Sequence, residues 1–440
     1  MFNDTIVAIA SALMEQAISI IRLSGDQAID IVSRIFSKDL HQVAANTINY
    51  GFIKDEDGDV DEVLVSVFRS PRSYTCEDIV EINCHGGVYV TKRILALCIA
   101  QGARLANPGE FTQRAFLNGR IDLSQAEGIN DLIGANTANQ AHSAINSLKG
   151  SVTRLIDPLC DDILDMIANI EVNIDYPEYD DVEVLTNEKI LPRVQHFLSR
   201  IDQIIKEAQN AIIIKKGIDT VILGKPNVGK SSLLNAMLQE DKAIVTSVAG
   251  TTRDLVEGSV NVGQVTLNLI DTAGIRETED IVEKIGIEKS KAALDKAQLV
   301  IMVMDAAKQD EEDAALLALC QNKPCILVYN KADKQRMAKG INISAINNDI
   351  DELVNKINEM FEQAIIDNRK DTLNNERQIG LAIKAKQHME DVLNGIQANI
   401  ELDLVSIDLN LAYESLKEIL GQASKEDLLD ALFSKFCLGK

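Results

Sequence analysis

No apolar run in this 440-residue chain reaches the ~18 residues that a membrane-spanning helix needs. Its start, Met1-Phe2-Asn3-Asp4-Thr5, also lacks the basic stretch and apolar core of a secretory leader. Both absences predict a cytoplasmic protein with no membrane association. No CxxC pair occurs among Cys76, Cys84, Cys98, Cys160, Cys320, Cys325 and Cys437, which argues against a disulfide framework or a zinc ribbon and for reduced thiols. Positive charge is scarce: 44 Lys and Arg stand against 67 Asp and Glu, a net charge of −23. That excludes nucleic-acid binding by bulk charge, while leaving room for a local basic patch or a basic partner. No repeat of fixed period is present.

What is present is ordinary globular material, 46% apolar and 25% charged, of a length that suggests about three domains. Three textures follow one another. Residues 1–118 mix strand-like runs (5–10, 17–23, 63–68, 79–82) with a helix at 88–100. From 121 to about 209 the apolar period becomes helical. Leu148, Val152, Leu155, Leu159, Ile163, Ile167 and Ile170 share one face, as do Val194, Phe197, Ile201 and Ile204. An acidic stretch at 175–181 interrupts the two. From about 217 to 364, buried-type strands (220–223, 265–270, 299–304, 325–329) alternate with helices, the signature of an α/β module. A polar stretch, 367–377, reads as a linker, and the tail is helical again. The economical architecture is multidomain α/β and α. It comprises an N-terminal α+β domain (1–118), a helical domain from two chain segments (119–214 and 367–440), and an inserted α/β module (215–366).

The inserted module carries the strongest motif. Gly224-Lys225-Pro226-Asn227-Val228-Gly229-Lys230-Ser231 fits GxxxxGK[ST] between a strand and a helix that continues from Ser232. Backbone N–H groups there can wrap phosphates, Lys230 can reach the outer ones, and Ser231 can ligate Mg²⁺. Asp271-Thr272-Ala273-Gly274 follows a second strand, where Asp271 can hold the metal through water and the Gly274 N–H can sense the γ-phosphate. Between them lies the loop Thr246-Ser247-Val248-Ala249-Gly250-Thr251-Thr252, in which Thr252 can complete Mg²⁺ coordination. Asn330-Lys331-Ala332-Asp333 ends a third strand. The Asp333 carboxylate can accept from guanine N1–H and its 2-amino group, a pattern adenine lacks, so GTP is predicted over ATP. Ser344-Ala345 supplies a backbone contact to guanine O6, and the four motifs in this order predict that the inserted module (215–366) is a Ras-like P-loop G domain. After the DxxG glycine, where small Ras-like GTPases carry a water-orienting glutamine, stands Ile275. A carboxylate of the acidic segment 277–283 is therefore a candidate to position water. Arg253 and Arg276 are candidates for an arginine finger.

Further residues extend the pattern over nearly the whole chain: Asp4-Thr5-Ile6-Val7-Ala8, Ile21-Arg22-Leu23-Ser24-Gly25, His85-Gly86-Gly87, Pro108-Gly109-Glu110-Phe111-Thr112, Arg114-Ala115-Phe116-Leu117-Asn118-Gly119, Gln125-Ala126-Glu127, Ala249-Gly250-Thr251-Thr252-Arg253-Asp254 and the ending Phe436-Cys437-Leu438-Gly439-Lys440. In this order they resemble the MnmE (TrmE) family of tRNA modification GTPases. The resemblance implies a tetrahydrofolate-binding N-terminal domain that forms a homodimer. It also implies a flavoprotein partner, MnmG (GidA), with which an aminomethyl-type group is placed on C5 of the wobble uridine of tRNA. The one-carbon unit would come from a 5-formyl or 5,10-methylene tetrahydrofolate. GTP hydrolysis would be triggered when two G domains meet across K⁺.

The resemblance further implies that Asn227, with Thr246, Val248 and Thr251, ligates potassium, although Pro-Asn is also a common turn pair. It makes Glu283 the catalytic glutamate that orients water. Arg22, Glu81, Arg120 and Lys440 match folate-contacting positions, although Arg22 and Glu81 also read as a satisfied strand pair. Cys437 reads as a thiol nucleophile near the folate or as a small core residue. The chain departs from the family pattern in a glycine-free stretch at 11–17, in Arg120 where lysine is common, and in Leu438 where isoleucine is usual. His85 reads as a turn or folate-pocket residue. An alternative of another class is a regulatory GTPase of ribosome assembly, which would carry a basic RNA-binding module.

Overall fold

The structure, a computed structural model, describes residues 4–135, 137–175, 187–240, 256–270, 294–308, 311–320, 323–368 and 370–422, together with 429, 432–434, 436 and 439. The chain forms two compact units. One comprises Met1–Gly134, Ser147–Ile167 and Leu409–Lys440, and the other Ala135–Asn146 and Ala168–Asp408.

The first unit is built on strands β1 (Ile6–Ile9), β2 (Gln16–Ser24), β3 (Thr47–Asp55), β4 (Gly58–Phe68), β5 (Ile79–Gly86) and β6 (Arg104–Leu105), ordered β3-β4-β5-β2-β1-β6. All neighbours are antiparallel except β1 with β6. Alternate side chains divide the sheet into two faces. Ile21, Leu23, Val65, Val67, Val80 and Ile82 point inward to one core with Ile31, Val32 and Ile35 of the helix Ala28–Ile35 and Ile94 and Cys98 of the helix Val88–Ala100. The other face keeps Ile18, Ile48, Tyr50 and Leu64 exposed. β4 begins earlier than its apolar run because the polar segment Gly58–Glu62 pairs with β3 through backbone, with Asp59 near Lys54 and Glu62 accepting from the Tyr50 hydroxyl. β5 runs on to Gly86, so His85 is a strand residue and not part of a turn.

The helical period also needs correction at one point. The face expected from Leu148 to Ile170 is broken at Gly150, whose φ of +76° ends the helix Ala138–Leu148 before Ser151–Asp175 begins. Glycine accepts that left-handed conformation without steric cost. The buried row of the second helix is Val152, Ile156, Leu159, Ile163, Ile167 and Ile170.

The second unit holds a sheet of β7 (Ile218–Leu223), β8 (Val256–Val262), β9 (Val265–Ile270), β10 (Leu299–Asp305), β11 (Cys325–Asn330) and β12 (Ile341–Asn342), ordered β12-β11-β10-β7-β9-β8. It is parallel except for the edge strand β8. β10 is buried on both faces, as a parallel strand covered by helices must be. The stretch 367–377, which reads as a linker, is instead packed. Thr372, Leu373 and Asn374 are buried, Ser143 Oγ donates to Asn374 Oδ1, and Lys215 Nζ donates to the Asn374 carbonyl. Polar composition there reflects satisfied hydrogen bonds rather than solvation. No helix among the described residues is long and apolar enough to cross a membrane.

Candidate functional site

The strand order of the second sheet reverses beside β7, and the loop leaving β7 lies at that switch point, where α/β sheets bind ligands. The loop, 224–229, has a shape only its own residues allow. Gly224 has φ +153°, and a Cβ there would sit 2.3 Å from the Val303 carbonyl oxygen. Gly229 has φ +96°, and a Cβ would sit 2.2 Å from Asn330 Nδ2. Asn227 takes φ +62°, a left-handed conformation that asparagine tolerates better than most residues. Val228 is buried in the core and anchors the loop from below. The helix Lys230–Glu240 then opens, with Ser231 and Ser232 exposed in its first turn.

Lys230 folds back across the loop. Its Nζ donates to the carbonyls of Gly224 (2.6 Å) and Lys225 (2.7 Å), and burial pushes its pKa down. Neutral carbonyls solvate this half-buried ammonium without neutralising its charge. Lys225 reaches the buried Asp313 at 2.8 Å, which ties the loop to the helix Glu311–Leu319.

Asn330 joins three loops. Its Nδ2 donates to the Val228 carbonyl at 2.9 Å. Its Oδ1 accepts from Lys331 N at 2.8 Å and Ala345 N at 3.1 Å. Lys331, at φ +65°, sends Nζ to the Asn227 carbonyl (3.1 Å) and to Asp305 Oδ2 (2.6 Å). Burial of Asp305 opposes its ionisation, but the Lys331 and Ala307 N–H bonds outweigh this and hold its pKa below the usual value. Ser344 Oγ donates to Asp333 Oδ1 at 2.8 Å, and this fixes an otherwise exposed carboxylate. The structure thus brings Asn227, Val228, Gly229, Lys230, Asn330, Lys331, Asp333, Ser344 and Ala345 together.

Lys225, Asp305 and Asp313 were not foreseen. Asp305 could have been found, because it ends an apolar parallel strand at the ligand-bearing edge. Thr246, Ser247, Val248, Ala249, Gly250, Thr251, Thr252, Asp271, Thr272, Ala273, Gly274 and Glu283 lie outside the described residues, as do Arg253, Ile275 and Arg276.

A second cluster lies in the first unit. Arg22 and Glu81 face each other across β2 and β5, with Nε to Oε1 at 2.7 Å. Arg22 Nη1 also donates to the Gly439 carbonyl at 3.0 Å, and its guanidinium lies 5.8 Å from the ring centroids of both Tyr74 and Phe111. Arg120 donates to the Tyr74 carbonyl at 3.0 Å and stacks 4.8 Å from the same ring. Gly439 has φ +89°, and a Cβ there would sit 2.6 Å from the Ile9 carbonyl oxygen, so the chain end passes close over β1. The strand register puts Arg22, Glu81, Ser66 and Ile48 in one row on the exposed apolar face of the sheet. Arg22 and Glu81 are therefore a satisfied pair that is still about one-fifth exposed, at the edge of a cationic and aromatic patch. Cys437 and Lys440 lie outside the described residues. His85 is exposed, and its bond to Asp61 (Nδ1 to Oδ1, 2.7 Å) raises its pKa.

Beneath this patch is a fully buried cation. Arg114 bonds the Asp4 carbonyl (2.9 Å), Asp4 Oδ1 (2.7 Å), Glu110 Oε1 (3.0 Å) and Glu77 (3.2 Å). Arg104 bonds Glu110 and Asp4 at 2.6 Å each.

Two families match the sequence. That described as "GTP-binding protein TrmE N-terminus" covers residues 5–120, and that described as "MnmE helical domain" covers 123–437. The chain is 49% identical to the tRNA modification GTPase MnmE of Bacillus mycoides (strain KBAB4) over 455 residues, 99% of each chain. It is 47% identical to that of Lactococcus lactis subsp. cremoris (strain SK11) over 448 residues, 99% of this chain and 98% of the relative. Among solved structures, the G domain of FeoB from Methanococcus jannaschii aligns with 34% of this chain and 98% of its own at 18% identity, with a TM-score of 0.24.

Proposed function

The chain belongs to the MnmE (TrmE) family of tRNA modification GTPases, and from that premise we propose that it drives an aminomethyl-type modification at C5 of the wobble uridine. It is a GTP hydrolase. The proposed partner is the flavoprotein MnmG (GidA), and the proposed one-carbon source is a formyl- or methylene-tetrahydrofolate.

The observation that carries the nucleotide assignment is Asn330, whose single amide ties the phosphate loop to the base-reading segments 331–333 and 344–345. One side chain thereby sets the spacing between the phosphate end and the base end of a bound nucleotide. Lys230 exchanges its carbonyl partners for phosphate oxygens, Asp333 accepts from guanine, and Ser344 holds Asp333 in place. Ser231 and Thr252 would hold Mg²⁺. Asn227, with Thr246, Val248 and Thr251, would hold K⁺. These cations, when bound, offset the charge that develops between the β- and γ-phosphates. The Asn227 backbone carbonyl accepts from Lys331 Nζ at 3.1 Å, and the proposed potassium ligand is its side-chain carbonyl oxygen. Glu283 would orient the attacking water.

For the folate, Arg22 and Arg120 offer cations to the glutamyl carboxylates, Glu81 offers an acceptor to the pterin's donor edge, and Tyr74 offers a stacking face. Their row continues into the exposed Ile48, and the next row carries Leu64 and Tyr50. An exposed apolar sheet face of this kind is suited to a second copy of the chain, so the proposed folate pocket lies against the homodimer interface.

The experiment is mass spectrometry of wobble uridine in cells lacking the gene, complemented with this chain or its variants. Wild type restores the modification, whereas Lys230→Ala and Arg22→Met do not. Full modification with either variant contradicts the proposal, and ribosomal subunits accumulating with normal uridine would favour the assembly GTPase.

A further inference from the structure

We propose that His388, Asp391 and Asp408 form a binding site for a divalent transition-metal ion, zinc above all, that clamps one helix of the second unit to the segment of the next helix that ends that unit. His388 and Asp391 lie three residues apart on the helix Glu376–Gln397, so they share one face. Asp408 comes from the helix Leu402–Ile419. One ligand atom from each of the three residues lies within 4.8 Å of the other two.

A second observation sets this cluster apart from solvated surface acids. His388 Nε2 is sealed from solvent and has no hydrogen-bond partner. An imidazole nitrogen left so loses its hydration without compensation. Lys386, two residues before His388 on the same helix, is engaged with Asp202 and Glu390.

The chemistry of the donors selects the ion. One imidazole and two carboxylates suit zinc or its neighbours, and too few oxygens converge for calcium. Tetrahedral donors at ~2.0–2.1 Å from zinc stand about 3.4 Å apart. The three side chains therefore close by up to an ångström or so, which Asp391, being exposed, can supply by rotation. Water would complete the shell on the solvent side. No activity assigned to the nucleotide or folate sites depends on this ion, so the two sets of claims stand or fall separately.

The test uses the full chain, stripped with a chelator and then saturated with Mg²⁺ and GDP, so that the nucleotide site is filled. Titration with Co²⁺ should give one equivalent per chain, with d–d absorption of a nitrogen–oxygen site and no thiolate charge-transfer band. Affinity should fall at least tenfold in His388→Gln and in Asp391→Asn, with far-UV circular dichroism and GDP affinity unchanged. Asp391 is exposed, so its substitution leaves the core intact and its result stands alone if His388→Gln fails to fold. Zinc should also raise the thermal midpoint of wild type and not of Asp391→Asn. No uptake beyond the nucleotide site, equal Co²⁺ affinity in wild type and Asp391→Asn, or a thiolate band would overturn the proposal.

Discussion

The two sheets treat buried charge in opposite ways. In the N-terminal unit, Arg114 is completely enclosed and meets Asp4, Glu77 and Glu110 within 3.2 Å. Its charge is spent on the fold. In the G module, Lys230 is half-buried against two backbone carbonyls, and burial lowers its pKa. In the proposed function its charge is held for a ligand. Breaking a buried pair leaves an uncompensated charge in the empty protein, while a charge held by dipoles alone gains its counter-charge only in a complex.

The largest test of that contrast is Arg114→Ala. It removes the shared partner of Asp4, Glu77 and the buried Glu110, leaving Glu110 to Arg104 and the Asn107 N–H, and should cost about 3 kcal/mol locally. Hydrogen exchange should show β1 and the helix Glu110–Leu117 losing protection while GTP affinity stays at the wild-type value. Lys230→Ala should do the reverse. Hydrolysis should fall by about 10²–10³-fold, with exchange in the empty protein unchanged or slower. Unchanged hydrolysis would place the lysine outside the phosphate site.

Asp333→Asn comes next. Loss of a charged acceptor should weaken GTP by about 1.5–3 kcal/mol and favour xanthosine triphosphate. Competition binding with the two nucleotides measures it, and unchanged preference would remove Asp333 from the base pocket.

A smaller effect follows from pH. Burial disfavours ionisation of Asp4 and Glu110, but Arg104 and Arg114 outweigh it, with the Asn107 N–H adding to the hold on Glu110, and keep both below their usual pKa. Folded carboxylates with depressed pKa stabilise above their unfolded values near ~4, and that stability is lost as pH falls through the folded values. Exchange protection of β1 should therefore hold from pH 7 to about 4 and drop below it, and Arg114→Ala should show a smaller step, with Arg104 carrying the remainder. The smallest effect is at His85. Asp61→Asn should return its raised pKa toward the ordinary ~6.5, read by NMR of the ring.

How much could be read from the chain differs between the same two regions. Gly224 to Ser231 and Asn330 to Asp333 are contiguous motifs at strand ends, so chain order alone places them at one edge of a parallel sheet. The basic patch gathers Arg22, Tyr74, Glu81, Arg120 and Gly439, whose association depends on strand register and on the course of the chain end. No local pattern encodes that, and only the family resemblance pointed to Arg22, Glu81 and Arg120. Tyr74 was missed because a lone aromatic in a loop carries no spacing signal. β3 was missed because its alternation leaves Ile48 and Tyr50 exposed, against the usual pattern of a half-buried strand. Gly150 and the buried 372–374 segment show the converse failure, where period and polarity were read correctly but the local backbone was not.

The most direct test of the central claim, that the two units serve separate ligands, is paired calorimetry on Arg22→Met. One titration uses 5-formyl-tetrahydrofolate and the other a non-hydrolysable GTP analogue. The account predicts that folate affinity falls at least tenfold while nucleotide affinity stays within twofold of wild type. Wild-type folate affinity in this variant would contradict it.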